Sequence, residues 1–150
     1  MASTLSDLFQ LSKGKPVDYG GRLVHGIFSI SIKAGNQKCE FRRLRADLEK
    51  PSGMHFKCAG GMIEINDFET KQMTLWADTS PECTHFNIRA EKNCVLKMWN
   101  KWRFGNSQQA WLGNSGMIIT AKNSDLKFEC SQGFGDVDFS AFVAELTLKD

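Results

Sequence analysis

The sequence predicts an all-β protein, an antiparallel β-sandwich or jelly-roll-like barrel of about ten strands with one short N-terminal helix. Three observations carry that expectation. Apolar and polar residues alternate with the period of a half-buried strand, most clearly in Leu23 to Lys33 and Cys83 to Ala90. Gly, Pro, Asn, Asp and Ser gather between these runs, where turns need them. Signals for a full helix occur in a single stretch near the start.

That stretch is TLSDLFQLS, residues 4–12, with Thr4 or Ser6 as N-cap and Gly14 beyond its end. Leu8, Phe9 and Leu11 give it an apolar side, so it is expected to plug one end of the body. Pro16 and Gly20-Gly21 read as a loop, Leu23 to Lys33 as a strand, Gly35 to Lys38 as a turn, and Cys39 to Arg45 as the returning strand. The polar stretch Ala46 to Gly53 reads as a loop around Pro51. Met54 to Cys58, Met62 to Ile65 and Met73 to Ala77 are short strands, parted by Gly60-Gly61 and by the loop Asn66 to Lys71. Asp78-Thr79-Ser80-Pro81 has turn chemistry.

Cys83 to Arg103 then reads as a hairpin, with Glu91-Lys92-Asn93 as a three-residue loop and Asn93 in the left-handed conformation. That register sets Ile88 against Leu96, Phe86 against Met98, and His85 against Trp99. Ala110 to Leu112 is the next strand. Met117 to Thr120 and Leu126 to Cys130 form a hairpin around Lys122-Asn123-Ser124. Asp138 caps a brief helical turn, and Val143 to Leu148 closes the fold as a strand.

Length and composition bound the function. A chain of 150 residues is expected to be a single sandwich domain over 1–150. Its 41% hydrophobic and 24% charged residues are ordinary values for a globular protein. A net charge of +2 gives no bulk footprint for nucleic acid or a membrane surface. No apolar run approaches the roughly 20 residues that span a bilayer. The start, MASTLSDLFQLSKGK, lacks the basic end and apolar core of a signal peptide. Five cysteines, an odd number, then point to a reducing cytoplasm and free thiols.

An internal repeat at a spacing of 55 residues is also suggested. Cys39-Glu40-Phe41-Arg42 parallels Cys94-Val95-Leu96-Lys97, Phe56 falls on Trp111, and Gly61-Met62-Ile63 falls on Gly116-Met117-Ile118. Two pseudo-repeated halves related by a near-twofold axis would follow, with Met62 and Met117 in equivalent core positions. Arg43 and Arg45 break the pattern unless a bulge near Arg43 turns Leu44 inward.

The outward face of the expected hairpin is the candidate site: His85, Asn87, Arg89, Lys97, Trp99 and Lys101. Asn and Arg fix hydrogen-bond geometry, and Trp99 offers a flat apolar ring with a polar edge. Such a face suits a carbohydrate or another small polar or anionic ligand. The competing reading is a solvated sheet face, with Trp99 covered by a loop or the helix. His85-x-Asn87-x-Arg89 resembles one strand of the galectin sugar-binding signature. The resemblance covers that strand alone. Trp99, Asn100 and Arg103 depart from the spacing of the signature's later residues and no Glu accompanies them, so no membership follows. It implies only that a strand of this kind can bind a sugar.

Catalytic signatures such as Gly-x-Ser-x-Gly, a phosphate loop or HExxH are missing. Cys83 and His85 share a strand face and could ligate together, but His55 and Cys58 point opposite ways. No metal or cofactor is therefore expected. Arg42, Arg43 and Arg45 with Lys97 and Lys101 could form a phosphate patch, yet one aromatic interleaves, so nucleic acid is a minor alternative. The leading reading is a small binding module rather than an enzyme. The alternatives are a sandwich hydrolase or isomerase with converging carboxylates such as Glu64 and Asp78, and a plain interaction domain, including a homodimer through edge strands.

Overall fold

A computed structural model describes residues 3–47 and 50–149. Thr4 caps α1 (Leu5–Leu11): its hydroxyl accepts from Asp7 N, and the Asp7 carboxylate accepts from Thr4 N, a reciprocal capping box. Leu5 is fully buried with Val24 and Ile118, and Leu8 and Phe9 pack against them. Leu11, expected on the sticky side, is 81% exposed. Gly20-Gly21 turns a small hairpin of β1 (Val17–Tyr19) and β2 (Arg22–Val24), where the sequence suggested a loop and the start of a longer strand.

Two larger antiparallel sheets make the sandwich. One holds β3 (Phe28–Ile32), β5 (Ser52–Ala59), β8 (Gln72–Trp76), β10 (Cys94–Phe104) and β11 (Ser107–Gln109). In it β10 is central: β5 pairs along one side, while β3 and β11 lie end to end along the other. The second sheet runs β12-β13-β14-β4-β9-β6-β7. Its members are β4 (Gly35–Ala46), β6 (Met62–Ile65), β7 (Phe68–Thr70) and β9 (Cys83–Ala90), then β12 (Gly116–Lys122), β13 (Asp125–Ser131) and β14 (Phe142–Lys149). No helix among the described residues is long and apolar enough to cross a membrane.

The expected Cys83–Arg103 hairpin does not form. β9 pairs with β4 and β6, whereas β10 belongs to the opposite sheet, so Glu91-Lys92-Asn93 is an arch that carries the chain across the core. The same holds one level earlier. β3 pairs with β10 and β4 with β9, so Lys33-Ala34 is a second arch and the turn expected at Gly35 to Lys38 is already strand. The alternation cannot separate these cases. In a hairpin the two apolar faces lie side by side, and in an arch they face each other, but the period is the same. Asn93 is absent from the left-handed residues. Its Oδ1 instead accepts from Ala34 N at 3.0 Å, tying the two arches together.

Between the sheets Phe56 stands edge-on to Phe41 and to Phe86, each at 5.2 Å, among Met54, Ile63, Ile88, Leu96, Met98, Phe128 and Leu146. Trp102 is 2% exposed, as its position on the apolar face of β10 requires. Its ring lies over Gly133, where a Cβ would come within 2.2 Å of it. The suggested repeat does not extend beyond the arches. β3 and β9 lie in different sheets, yet β6 and β12, which the repeat would equate, lie in the same one at different places in its order. Met117 is fully buried and Met62 only partly. A bulge does fall at Leu44, where the β4–β14 register shifts, but Leu44 is 48% exposed rather than turned inward.

Candidate functional site

The six residues singled out from the sequence divide three and three between the two sheets. His85, Asn87 and Arg89 lie on the outer face of β9, and Lys97, Trp99 and Lys101 on the outer face of β10. His85 stands opposite Glu40, not Trp99; Trp99 stands opposite His55.

The β9 face is a mixed-charge network, with Lys38 directly opposite Asn87. Asn87 faces Glu64, and Arg89 is held by Glu64 at 3.4 Å and by Glu69. His85 and Asn87 border a shallow depression of about 460 Å³ that Glu64, Asp67 and Glu69 also line. Glu40 is the charge centre farther along, with Lys149 Nζ at 3.5 Å, His85 Nε2 at 3.7 Å and Arg42 at 4.0 Å. The Cys83 thiol donates to Glu40 Oε1 at 3.3 Å, and that contact leads the causes holding the Glu40 carboxyl below its usual range.

The β10 face is basic and aromatic. Lys97 lies directly opposite Lys57, and Lys101 stands four residues further along β10 on the same face. Like charges directly opposite on one sheet face repel. Among the described residues none of the three lysines forms an ion pair, and Lys101 donates to Gln108 Oε1 at 3.3 Å. Beside them His55, Trp99 and Trp111 form a stack of rings, with centroids 4.5 Å and 4.9 Å apart. Trp111 takes a left-handed backbone (φ 58°), and its Nε1 donates to Gly26 O at 3.0 Å, which fixes the ring over Trp99. Trp99 is thus 9% exposed, contrary to the open stacking platform expected, and the loop-borne Trp111 is its cover. Trp99 Nε1 is buried without a hydrogen-bond partner among the described residues. At the far end Arg103 stacks 4.4 Å over Trp76 and pairs with Asp78.

His55 is buried between two polar neighbours. Gln72 Oε1 accepts at 2.9 Å, so the proton sits on Nε2, and the Thr74 hydroxyl donates to Nδ1 at 2.6 Å. Burial pushes its pKa below the usual histidine value; the Gln72 hydrogen bond acts against this, and the nearby Lys101 and Lys57 charges add to it. The neutral ring therefore belongs to this face.

Sequence reasoning missed His55, Lys57 and Trp111. The signal for the first two lay in His55-Phe56-Lys57-Cys58, whose alternation sets both on one face. The pattern at Ala110 to Leu112 suggests a strand, but Trp111 lies in a loop. The other constellations do not assemble. Glu64 pairs with Arg89 on the β9 face while Asp78 pairs with Arg103 beside β10, so these carboxylates do not converge. Arg42, Arg43 and Arg45 lie on β4, in the sheet opposite Lys97 and Lys101. No protein-family model, curated protein or solved structure matches the chain.

Proposed function

We propose that the chain is a small binding module whose β10 face takes an anionic, polyhydroxylated ligand, of which an acidic saccharide is the simplest example. The observation that carries this reading is the Lys57–Lys97 pair, set directly opposite one another, with Lys101 farther along the same face and no carboxylate paired to any of the three among the described residues. A folded protein gains nothing in stability from that arrangement, and an anion lying across it relieves the repulsion. The 44% exposed Trp111, backed by the stacked Trp99 ring, supplies an apolar surface for a sugar face. His85, Asn87 and Arg89 are not part of this site, because they lie on the opposite sheet and Arg89 is already paired with Glu64 and Glu69.

The test is a tryptophan-fluorescence titration with neutral, uronic and sulfated oligosaccharides at low and high salt. The reading expects saturable, salt-sensitive binding of the acidic sugars, weakened by Lys57→Glu and by Lys97→Glu. Neutral sugars binding equally well, or no binding by any, would oppose it.

A second reading, a plain interaction domain, draws support from the covered Trp99 and from exposed Ile27 and Leu112 near Trp111. Pairing of two copies through the sheet edges at β8 or β12 is its simplest form. Sedimentation of the purified chain across a concentration series tests it, since a dimer would shift mass with concentration.

A further inference from the structure

On the other sheet the geometry points to a binding site for one divalent transition metal of the zinc class, formed by Glu40, Cys83 and His85. β4 and β9 pair so that Glu40 lies directly opposite His85, and Cys83 lies two residues before His85 on the same face. The sequence placed Cys83 and His85 together but gave no third donor. The register supplies it.

The three donor atoms already stand near the edges of a tetrahedron. Cys83 Sγ lies 3.3 Å from Glu40 Oε1 and 3.9 Å from His85 Nε2, and His85 Nε2 lies 3.7 Å from Glu40 Oε1. Zinc bonds of about 2.3 Å to sulfur and about 2.0–2.2 Å to nitrogen or oxygen require donor separations of about 3.4–3.6 Å. Each pair therefore has to move by only a few tenths of an ångström. Glu40 is oriented for the task by Lys149, which takes Oε2 at 3.5 Å and leaves Oε1 facing the other donors.

Donor type narrows the metal. A thiolate, an imidazole and one carboxylate suit zinc, cobalt or nickel and not the oxygen-seeking magnesium or calcium. On binding, the Cys83 thiol gives up its proton and its sulfur takes the metal; two negative donors then balance the dication. His85 has a 67% exposed side chain, so the fourth position opens to solvent, the arrangement of a site that exchanges a water for a ligand. Arg42, 4.0 Å from Glu40, has an exposed side chain that can swing clear.

Cobalt(II) chloride and zinc chloride are the probes, added to the whole chain after chelator treatment. Wild type should take up one equivalent, show thiolate-to-cobalt charge-transfer absorption, and have Cys83 protected by zinc from iodoacetamide. Cys83→Ser should lose the absorption and the stoichiometric uptake. His85→Gln and Glu40→Gln should each weaken zinc binding about tenfold or more, and Cys58→Ser should change nothing. Melting curves without metal establish that each variant is folded. Substoichiometric uptake by wild type, or full uptake and absorption in folded Cys83→Ser, overturns the site.

Discussion

Replacing Lys97 by Glu should make the protein more stable and a poorer binder at the same time. Lys97 and Lys57 are directly opposed on β10 and β5, a like-charge pair on one face. Cross-strand charge pairs contribute about 0.2–1 kcal/mol in either direction. Turning repulsion into attraction should therefore gain about 0.5–1.5 kcal/mol at low ionic strength, less where Lys57 is fully solvated. For a chain of this size that corresponds to a rise of roughly 1–5 °C in Tm. Calorimetry at low salt reads the gain, and salt approaching about 0.5 M should erase much of it as the screening length shrinks. The same variant titrated with an acidic saccharide should bind at least about tenfold more weakly, since a charge-assisted contact is replaced by a repulsive one. A Tm that falls or stays unchanged at low salt would mean that the opposed lysines do not repel.

Other substitutions separate fold from face. Trp102→Ala should lower stability by about 3–5 kcal/mol in urea melts, because the ring is 2% exposed in a packed core. Thr4→Ala should remove about 1 kcal/mol by deleting the capping box of α1, read as a modest drop in Tm. Burial lowers the pKa of both His55 and His25 in the fold, so the unfolded chain binds protons more readily there. Their contribution is complete above about pH 6.5 and is lost as pH falls below it; His55→Gln should flatten part of that decline in melts taken from about pH 7.5 to about pH 5.5. Iodoacetamide should modify Cys83 first, slowly because burial and the Glu40 contact raise its pKa. The buried Cys39, pushed up to about 12, should react only on unfolding.

Much of the local structure was legible in the residues. Met62 to Ile65 is strand at the bounds its pattern gives, and Asn123 turns the β12–β13 hairpin at a left-handed φ of 56°. Thr4 and Asp7 announce the helix cap. What the sequence hides is which sheet each strand joins. Cys83 to Ala90 and Cys94 to Phe104 carry alternation equally suited to a hairpin and an arch, and only the packing of Phe56 between Phe41 and Phe86 decides. Two consequences at the sites follow from that single choice. His85 meets Glu40 instead of Trp99, and Lys97 meets Lys57, a residue 40 positions earlier in the chain. The cover on Trp99 was equally hidden, because it depends on the unusual backbone of Trp111. Strands Phe68–Thr70 and Val17–Tyr19 are hidden for a different reason: at three residues each they are too short to show a period.

The binding face itself is tested most directly by the indole N–H resonances of Trp99 and Trp111 during an NMR titration with a sulfated or uronic oligosaccharide. Both resonances should shift together and saturate, the backbone amides of Lys57, Lys97 and Lys101 should move with them, and Lys97→Glu should suppress the response. Unchanged indole signals at saturating saccharide, or shifts gathered around His85, Asn87 and Arg89 instead, would contradict it.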